Sequence, residues 1–226
     1  MITMFVNTLL EPKEIIYSKR RTISLIINSN GELIVRAPKS CPMQKIEKFI
    51  NEKSDWIIRK KRYFTEHNFY KPIEFKGEEH IYLLGEKYNI VLSDSARVKV
   101  NGYKLELPRL NAKTRLLHFL SRTAKKYISK RVDYIANLFK FEYKSITITS
   151  AHTRWGSCSF SNKLNFTYKL IMCPKEVIDY IIVHELCHTV EKNHSKNFWN
   201  KVKTILPNYK TYEKWLKDNR GIINVI

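Results

Sequence analysis

The sequence predicts an α+β protein, with a β-rich N-terminal portion over residues 1–108 and a mainly helical portion with a small sheet over residues 109–226. Apolar residues alternate with a period of two in several runs before Pro108, and they recur with a period near 3.6 after Asn111. Strands followed by helices are typical of this class. A chain of 226 residues can fold as one large domain, and we expect one compact unit.

The first elements are predicted to be a hairpin and a helix. Residues 22–37 contain two β-rich runs on either side of the turn residues 28–31, a pattern typical of a β-hairpin. Pro42 then stands where a first helical turn tolerates proline, and apolar residues at helical spacing continue to the basic run 59–62. We expect this helix to pack its apolar side on the hairpin.

Strand patterns return over residues 80–92 and on both sides of Asn101-Gly102, which is a strong signal for a two-residue hairpin turn. A long helix is predicted from Asn111, its candidate N-cap, to about Lys140. Two further strands are predicted over residues 145–150 and 163–170, and a second long helix begins near Pro174.

The chain is strongly basic, with 41 Lys and Arg residues against 21 Asp and Glu residues and a net charge of +20. Its 43% of hydrophobic residues excludes disorder of the whole chain. Residues 109–150 contain ten basic residues against two acidic ones. This basic helix is either a solvated face or a docking surface for a nucleotide, a nucleic acid or another polyanion. Five side chains mostly avoid its apolar stripe: Lys113, Arg122, Lys125, Lys126 and Lys130.

Targeting signals and disulfide patterns are both weak in this sequence. No apolar run approaches the ~20 residues that a membrane helix needs. Residues 1–14 lack the basic start and the small-residue cleavage site of a signal peptide. The four cysteines stand far apart without a C-x-x-C pair. We therefore expect a cytoplasmic protein with reduced thiols and no membrane partner.

The helix after Pro174 contains the pattern His-Glu-x-x-His, in which His184 and His188 are four residues apart. Positions i and i+4 of a helix differ by roughly 40° around its axis and by ~6 Å along it, so both imidazoles can bind one tetrahedral zinc ion. Glu185 lies about 100° further round the helix, where it can hold a metal-bound water. It is the predicted general base.

A catalytic zinc site uses three protein ligands and leaves the fourth position to water. His194 is the favoured third ligand, provided that the helix stops soon after His188. Asn193 could end the segment after His188 in a left-handed conformation, and Ser195 could cap the next helix. Glu213 is the rival third ligand, which is reached if the first helix continues and a second helix returns.

Three further segments carry a recognisable pattern: TRWGSCS (153–159), KLNFTYKLIMCP (163–174) and VIDYIIVHELCHTVEKNHSKNFW (177–199). In this order they resemble the YgjP-like family of predicted zinc metallopeptidases, relatives of SprT-type and other minimal zincins. The resemblance implies a minimal zincin-like fold whose small sheet lies beside the metal-binding helix. It also implies that three histidines hold the zinc and one glutamate is catalytic: His184, His188, His194 and Glu185. Glu191 stands where the metzincin motif has glycine, so the chain is not assigned to that group.

Arg154 and Trp155 follow a predicted strand and are candidates for the wall of the cleft. Arg154 could bind a carboxylate or phosphate, or stabilise oxyanion charge. In the alternative interpretation, Trp155 fills the core and Arg154 is its salt-bridged neighbour. His152, Tyr209 and Tyr212 are weaker candidates for donors to the transition state.

Together these features predict a zinc-dependent hydrolase, first of all a metallopeptidase that acts on peptides or proteins. Two alternatives remain open. The net charge of +20 also suits a metal-dependent hydrolase of nucleotides or other phosphoanhydrides. The basic helix suits a nucleic-acid-binding protein whose zinc is structural. Glu185 favours the enzymes, because a closed structural site has no use for a general base.

Overall fold

In the computed structural model, the chain forms two compact units, residues 1–71 and residues 72–226. The expectation of one compact unit was therefore wrong. The strands of residues 80–108 belong to the second unit, together with the helical part of the chain. The structure describes residues 10–28, 31–66, 73–77, 79–219, 221–222 and 225–226.

The first unit contains three strands and two helices in its described residues. They are β1 (Pro12–Ser18), β2 (Ser24–Ile27), β3 (Leu33–Pro38), α1 (Met43–Glu52) and α2 (Ser54–Glu66). The sheet has the order β1-β3-β2, with β1 parallel and β2 antiparallel to β3. The predicted hairpin is β2–β3, although its turn residues 29–30 lie outside the described residues. Strand β1 was not predicted.

The predicted helix after Pro42 is divided into α1 and α2 at Lys53. The amide of Lys53 donates to both Phe49 O at 3.2 Å and Ile50 O at 3.1 Å, and its φ of −106° departs from helical values. The expected packing of this region on the hairpin is confirmed by one apolar cluster. Its fully buried members are Leu33, Val35, Ala37, Ile46, Ile50 and Ile57.

The second unit begins with a four-stranded sheet of order β4-β5-β7-β6. Its strands are β4 (His80–Leu83), β5 (Glu86–Ser93), β6 (Lys99–Asn101) and β7 (Lys104–Pro108). The pattern over residues 80–92 is therefore a hairpin, whose two-residue loop has positive φ at both Leu84 and Gly85, as in a type I′ turn. The other loop is Gly102-Tyr103, one residue later than the predicted Asn-Gly pair, with positive φ at its glycine.

The long basic helix is confirmed as α3 (Ala112–Phe139). Left-handed residues flank it at both ends, Asn111 at the N-cap and Lys140 at the C-cap. The side chain of Asn111 makes no capping hydrogen bond. Buried small and aliphatic side chains such as Leu116, Leu120 and Ala124 line one side of α3, which leaves its basic residues on the other sides.

The rest of the second unit is a three-stranded sheet followed by helices. The strands are β8 (Ser145–Thr149), β9 (Gly156–Cys158) and β10 (Lys163–Thr167), and the α-helices are α4 (Lys175–Cys187), α5 (Lys196–Ile205) and α6 (Tyr209–Asp218). The sheet order is β8-β10-β9, with β10 parallel to β8 and antiparallel to β9. A 3₁₀ turn over Tyr168–Met172 joins β10 to α4. These elements confirm the α+β class.

Three contacts fix helix α4 within the second unit. At its start, the amide of Leu84 in the β4–β5 loop donates to Ile171 O at 2.7 Å. Further along, Arg131 of α3 forms a bidentate pair with Asp179 of α4, at 2.6 and 2.7 Å. The N-cap of α4 is Pro174, which closely approaches Gly85. The helix that carries the His-Glu-x-x-His motif is therefore attached to both the four-stranded sheet and α3.

Within the residues that the structure describes, no helix has both the length and the apolar character needed to cross a membrane.

We expect Gly85→Ala to destabilise the second unit. Gly85 has a φ of +85°, and a Cβ atom there would lie 3.0 Å from Pro174 Cα. Left-handed strain and overpacking should together lower the free energy of unfolding by about 2–4 kcal/mol. The control is Gly102→Ala, since Gly102 also has positive φ but its Cβ would meet nothing within 4 Å. Chemical denaturation followed by circular dichroism measures both. Equal losses would show that the contact with Pro174 is not a constraint.

Candidate metal centre

Helix α4 ends where the sequence predicts, directly after the His-Glu-x-x-His motif. His184 lies in its last turn, and His188 is its C-cap. The chain then turns through backbone hydrogen bonds, including Glu191 N to Cys187 O at 2.9 Å. The predicted left-handed conformation of Asn193 was wrong, because this turn reverses the chain without it. His194 then precedes α5, whose predicted N-cap is confirmed: Ser195 Oγ accepts from Phe198 N at 3.3 Å.

The three histidines converge through their Nε2 atoms. His194 Nε2 lies 3.0 Å from His184 Nε2 and 3.1 Å from His188 Nε2. All three ligand atoms lie within 4.8 Å of one another. Nitrogens bound to one tetrahedral zinc at 2.0–2.1 Å stand about 3.3 Å apart, so this donor set fits a divalent metal such as zinc.

The surroundings keep the imidazoles suited to metal binding. His188 Nδ1 lies 2.9 Å from the carbonyl oxygen of Glu191, so Nδ1–H donates there and Nε2 keeps its lone pair for the centre. Burial, together with His188 and His194, lowers the pKa of His184 to about 3. Burial also lowers the pKa of His188. Neutral imidazoles bind a metal without first releasing a proton.

Aromatic residues of α5 hold the imidazole rings in place. The ring of Phe198, which is fully buried, stacks on His188 at 4.4 Å and meets the rings of His184 and His194 edge-on at 4.9 and 4.8 Å. Trp199 stacks on His194 at 5.6 Å. Phe198 and Trp199 of α5 thus support the rings of the three histidines. The spacing of apolar residues in the sequence did not indicate this role.

A second loop contacts the segment between His188 and His194. Lys192 donates a hydrogen bond to the side chain of Asn162, and its ammonium lies 5.7 Å from the centre of the Phe160 ring. Both partners belong to the turn between β9 and β10. This turn therefore stabilises the loop that brings His194 to the other two histidines.

Glu185, the residue after His184 in α4, is buried, with 5% of its surface exposed. Burial raises its pKa to about 7, while the charge of Arg154 acts in the opposite direction. A Cβ atom on Gly156 of β9 would lie 2.8 Å from both Cγ and Oε1 of Glu185. A larger residue at position 156 would therefore require the Glu185 side chain to shift. Sequence reasoning missed the contact, although Gly156 belongs to the Arg-Trp-Gly-Ser-Cys signature.

Arg154 and Trp155 lie on the segment that leads into β9. Arg154 is exposed, and within the described part of the chain no carboxylate forms a salt bridge with it. The positive charge of Arg154 acts to lower the pKa of Glu185, so the guanidinium lies within electrostatic reach of that carboxylate. Trp155 is half-buried, and its carbonyl oxygen accepts from Thr167 N at 3.0 Å.

The other sequence candidates are not among the converging ligand atoms, although Tyr209 and Tyr212 belong to the aromatic cluster beside them. Glu213 is an exposed residue of α6, and its carboxylate does not belong to the group of converging ligand atoms. His152 Nδ1 contacts Lys169 Nζ at 3.0 Å. Tyr209 stacks on Trp199 at 5.3 Å, and Tyr212 lies 6.3 Å from the ring of Tyr180.

Comparisons with known proteins were made on the whole chain. Residues 21–219 match the family model described as YgjP-like, metallopeptidase domain. A solved structure, the metallopeptidase zymogen of Pyrococcus abyssi abylysin, is 17% identical, with a TM-score of 0.38 over 41% of this chain and 95% of that chain. No curated protein sequence matches significantly.

We expect the purified protein to bind about one zinc ion per chain, and each of His184→Ala, His188→Ala and His194→Ala to bind a small fraction of that amount. Loss of one of three ligands leaves a weak two-ligand site. Elemental analysis after dialysis measures the bound metal.

Two controls accompany the ligand variants. His118→Ala removes a histidine outside the centre, and Glu213→Ala removes the rival ligand; both should keep the metal. If His194→Ala kept its zinc while Glu213→Ala lost it, the third ligand would be the carboxylate of α6.

Proposed function

Since the chain belongs to the YgjP-like family of metallopeptidase domains, we propose that it is a zinc peptidase in which His184, His188 and His194 hold the metal and Glu185 is the general base. One observation carries the proposal: three imidazole nitrogens converge on one point, and the helix that supplies two of them also carries the buried carboxylate of Glu185. The family supports peptide or protein substrates and a divalent metal. The identity of the metal and the roles of the residues are the proposal.

The number of protein ligands supports a catalytic centre. Among the described residues, no fourth His, Cys, Asp or Glu joins the three histidines. Three ligands with one open position are typical of catalytic zinc, whereas structural zinc is usually closed by four. When bound, zinc supplies a Lewis acid that polarises a carbonyl and lowers the pKa of water. His194 is exposed, so a substrate can approach from its side.

Glu185 is suited to move a proton between water and the leaving group. Its carboxylate lies in the last turn of α4 between two of the proposed ligands in sequence, and β9 limits its movement at Gly156. It accepts the proton of the attacking water and returns it to the amine that leaves. A carboxylate held in one place needs little reorganisation for this transfer.

Arg154 is the proposed substrate-binding residue. Its exposed guanidinium has no carboxylate partner in the described chain, which leaves its donors available to a substrate carboxylate or to oxyanion charge. Trp155, half-buried beside it, is proposed as part of the cleft wall. The main-chain hydrogen bond from Thr167 N to the carbonyl oxygen of Trp155 fixes this segment to β10.

Activity profiling tests the substrate class. The zinc-loaded protein is offered casein-derived peptides in one set of reactions and nucleoside triphosphates in another. We expect cleavage of peptides. Cleavage of phosphoanhydride bonds alone would overturn the peptidase proposal.

We expect Glu185→Gln to keep its metal and fold but to lower kcat by about 10²–10⁴-fold, since an amide of the same shape cannot accept a proton. Glu176→Gln is the matched control, because it makes the same change at an exposed position in the first turn of α4. Peptide hydrolysis and elemental analysis are measured together. Unchanged turnover in Glu185→Gln would exclude the general-base role.

We expect Gly156→Ala to lower kcat by roughly tenfold or more at unchanged metal content, because the new Cβ displaces the Glu185 carboxylate. Gly102→Ala controls for loss of stability, since it adds a methyl group in open space. A Gly156→Ala variant with full activity would show that the carboxylate relaxes without leaving its working position.

A further inference from the structure

Two neighbouring cavities lie along the basic side of α3. The first, of about 750 Å³, extends from α3 to the end of β8, and the second, of about 470 Å³, extends from α3 to the loop of residues 96–98. His118 and Arg122 line both cavities. The two cavities therefore share part of their lining, and we call the pair the α3 groove.

The spacing of its basic residues follows the helix. Arg115, His118, Arg122 and Lys125 lie at positions i, i+3, i+7 and i+10 of α3, so they share one side of the helix over about 15 Å. Arg97 faces them from the loop between β5 and β6. A positively charged row thus follows the floor of the groove and part of its wall.

The side chains that line the groove carry an excess of positive charge. Five Lys and Arg residues line it, and no Asp or Glu does: Arg97, Lys113, Arg115, Arg122 and Lys125. Among the described residues, none of the five forms a salt bridge. The acidic side chain of Asp94 on the nearby loop pairs outside the groove, with Arg109 at 3.4 Å.

The remaining lining supplies hydroxyl groups and apolar surface. Ser121 and Ser150 offer hydroxyl groups, while Leu117 and the half-buried Phe119 offer apolar contact.

A buried lysine sets the hydrogen-bonding state of His152 in this lining. The fully buried Lys169 has its ammonium 3.0 Å from His152 Nδ1. Because an ammonium only donates, Nδ1 accepts and the ring proton stays on Nε2, where it can donate to an anion.

We propose that the α3 groove binds single-stranded nucleic acid. Lysine and arginine side chains would contact successive phosphates, and the apolar lining would contact bases, which is the combination typical of single-strand sites. A duplex is usually read by a helix that enters the major groove, whereas α3 here lines two cavities together with the end of β8 and the loop of residues 96–98. This site is separate from the metal centre: the groove borders β8, and the centre borders β9, at the opposite edges of the three-stranded sheet.

The test is fluorescence anisotropy of the zinc-loaded full chain with labelled 15-nucleotide strands of mixed-sequence DNA or RNA, over a series of salt concentrations. We expect Arg122→Gln/Lys125→Gln to weaken binding about tenfold or more at low salt. The slope of log K against log salt should fall by about 1.4, since each contact to a single strand contributes about 0.7. The DNA and RNA arms identify which sugar-phosphate strand binds better.

The matched control is Lys126→Gln/Lys130→Gln. It removes the same charge from exposed positions of the same helix, but neither residue lines the groove. We expect this control to weaken binding less than threefold. Equal weakening by both double variants would show diffuse attraction to the net charge and would overturn the proposal. So would the absence of binding at low salt, or tighter binding of a duplex of the same length.

Discussion

The convergence of three imidazole nitrogens at 3.0–3.1 Å is the constraint on which the second unit depends. Two of the nitrogens come from one helix, where i and i+4 spacing brings them together. The third nitrogen belongs to His194, which lies beyond the end of the helix. The six residues from His188 to His194 must therefore bring it back to the other two. The backbone turn after Cys187, the Glu191 carbonyl on His188 and the β9–β10 turn on Lys192 each contribute to that return. Phe198 then fills the space behind all three rings.

The other end of α4 matters equally, because the proposed role of Glu185 requires the whole helix to be fixed against β9. The approach of Gly85 to Pro174 and the bond from Leu84 to Ile171 hold the start of the helix. The Arg131–Asp179 pair holds its first turns against α3. Because both ends are fixed, the helix cannot slide to move Glu185 away from Gly156. The close approach of Gly156 therefore restricts the position of the carboxylate.

Local patterns in the sequence predicted local structure well. The hairpin β2–β3, the helix α3, the end of α4 and the Ser195 cap depend on periodicity and on residues within one or two turns, and all are confirmed. Strand β1 was missed because it pairs in parallel with a strand about 20 residues later, and its exposure pattern does not alternate. The Gly156–Glu185 contact joins segments almost 30 residues apart. The periodicity of apolar residues does not indicate contacts between segments so far apart in the sequence.

The two proposed sites of the second unit have opposite electrostatic requirements, and they border opposite edges of the three-stranded sheet. A divalent cation is repelled by the positive charge that a phosphate strand requires. Strands β8 and β9 are separated by β10, so the two strands lie about 10 Å apart across the sheet. The basic side chains of α3 in the groove are exposed, and salt screens exposed charges over a Debye length of about 8 Å at physiological ionic strength. Separation across the sheet and screening at the surface therefore both reduce the repulsion that the basic face of α3 exerts on a metal at the three histidines.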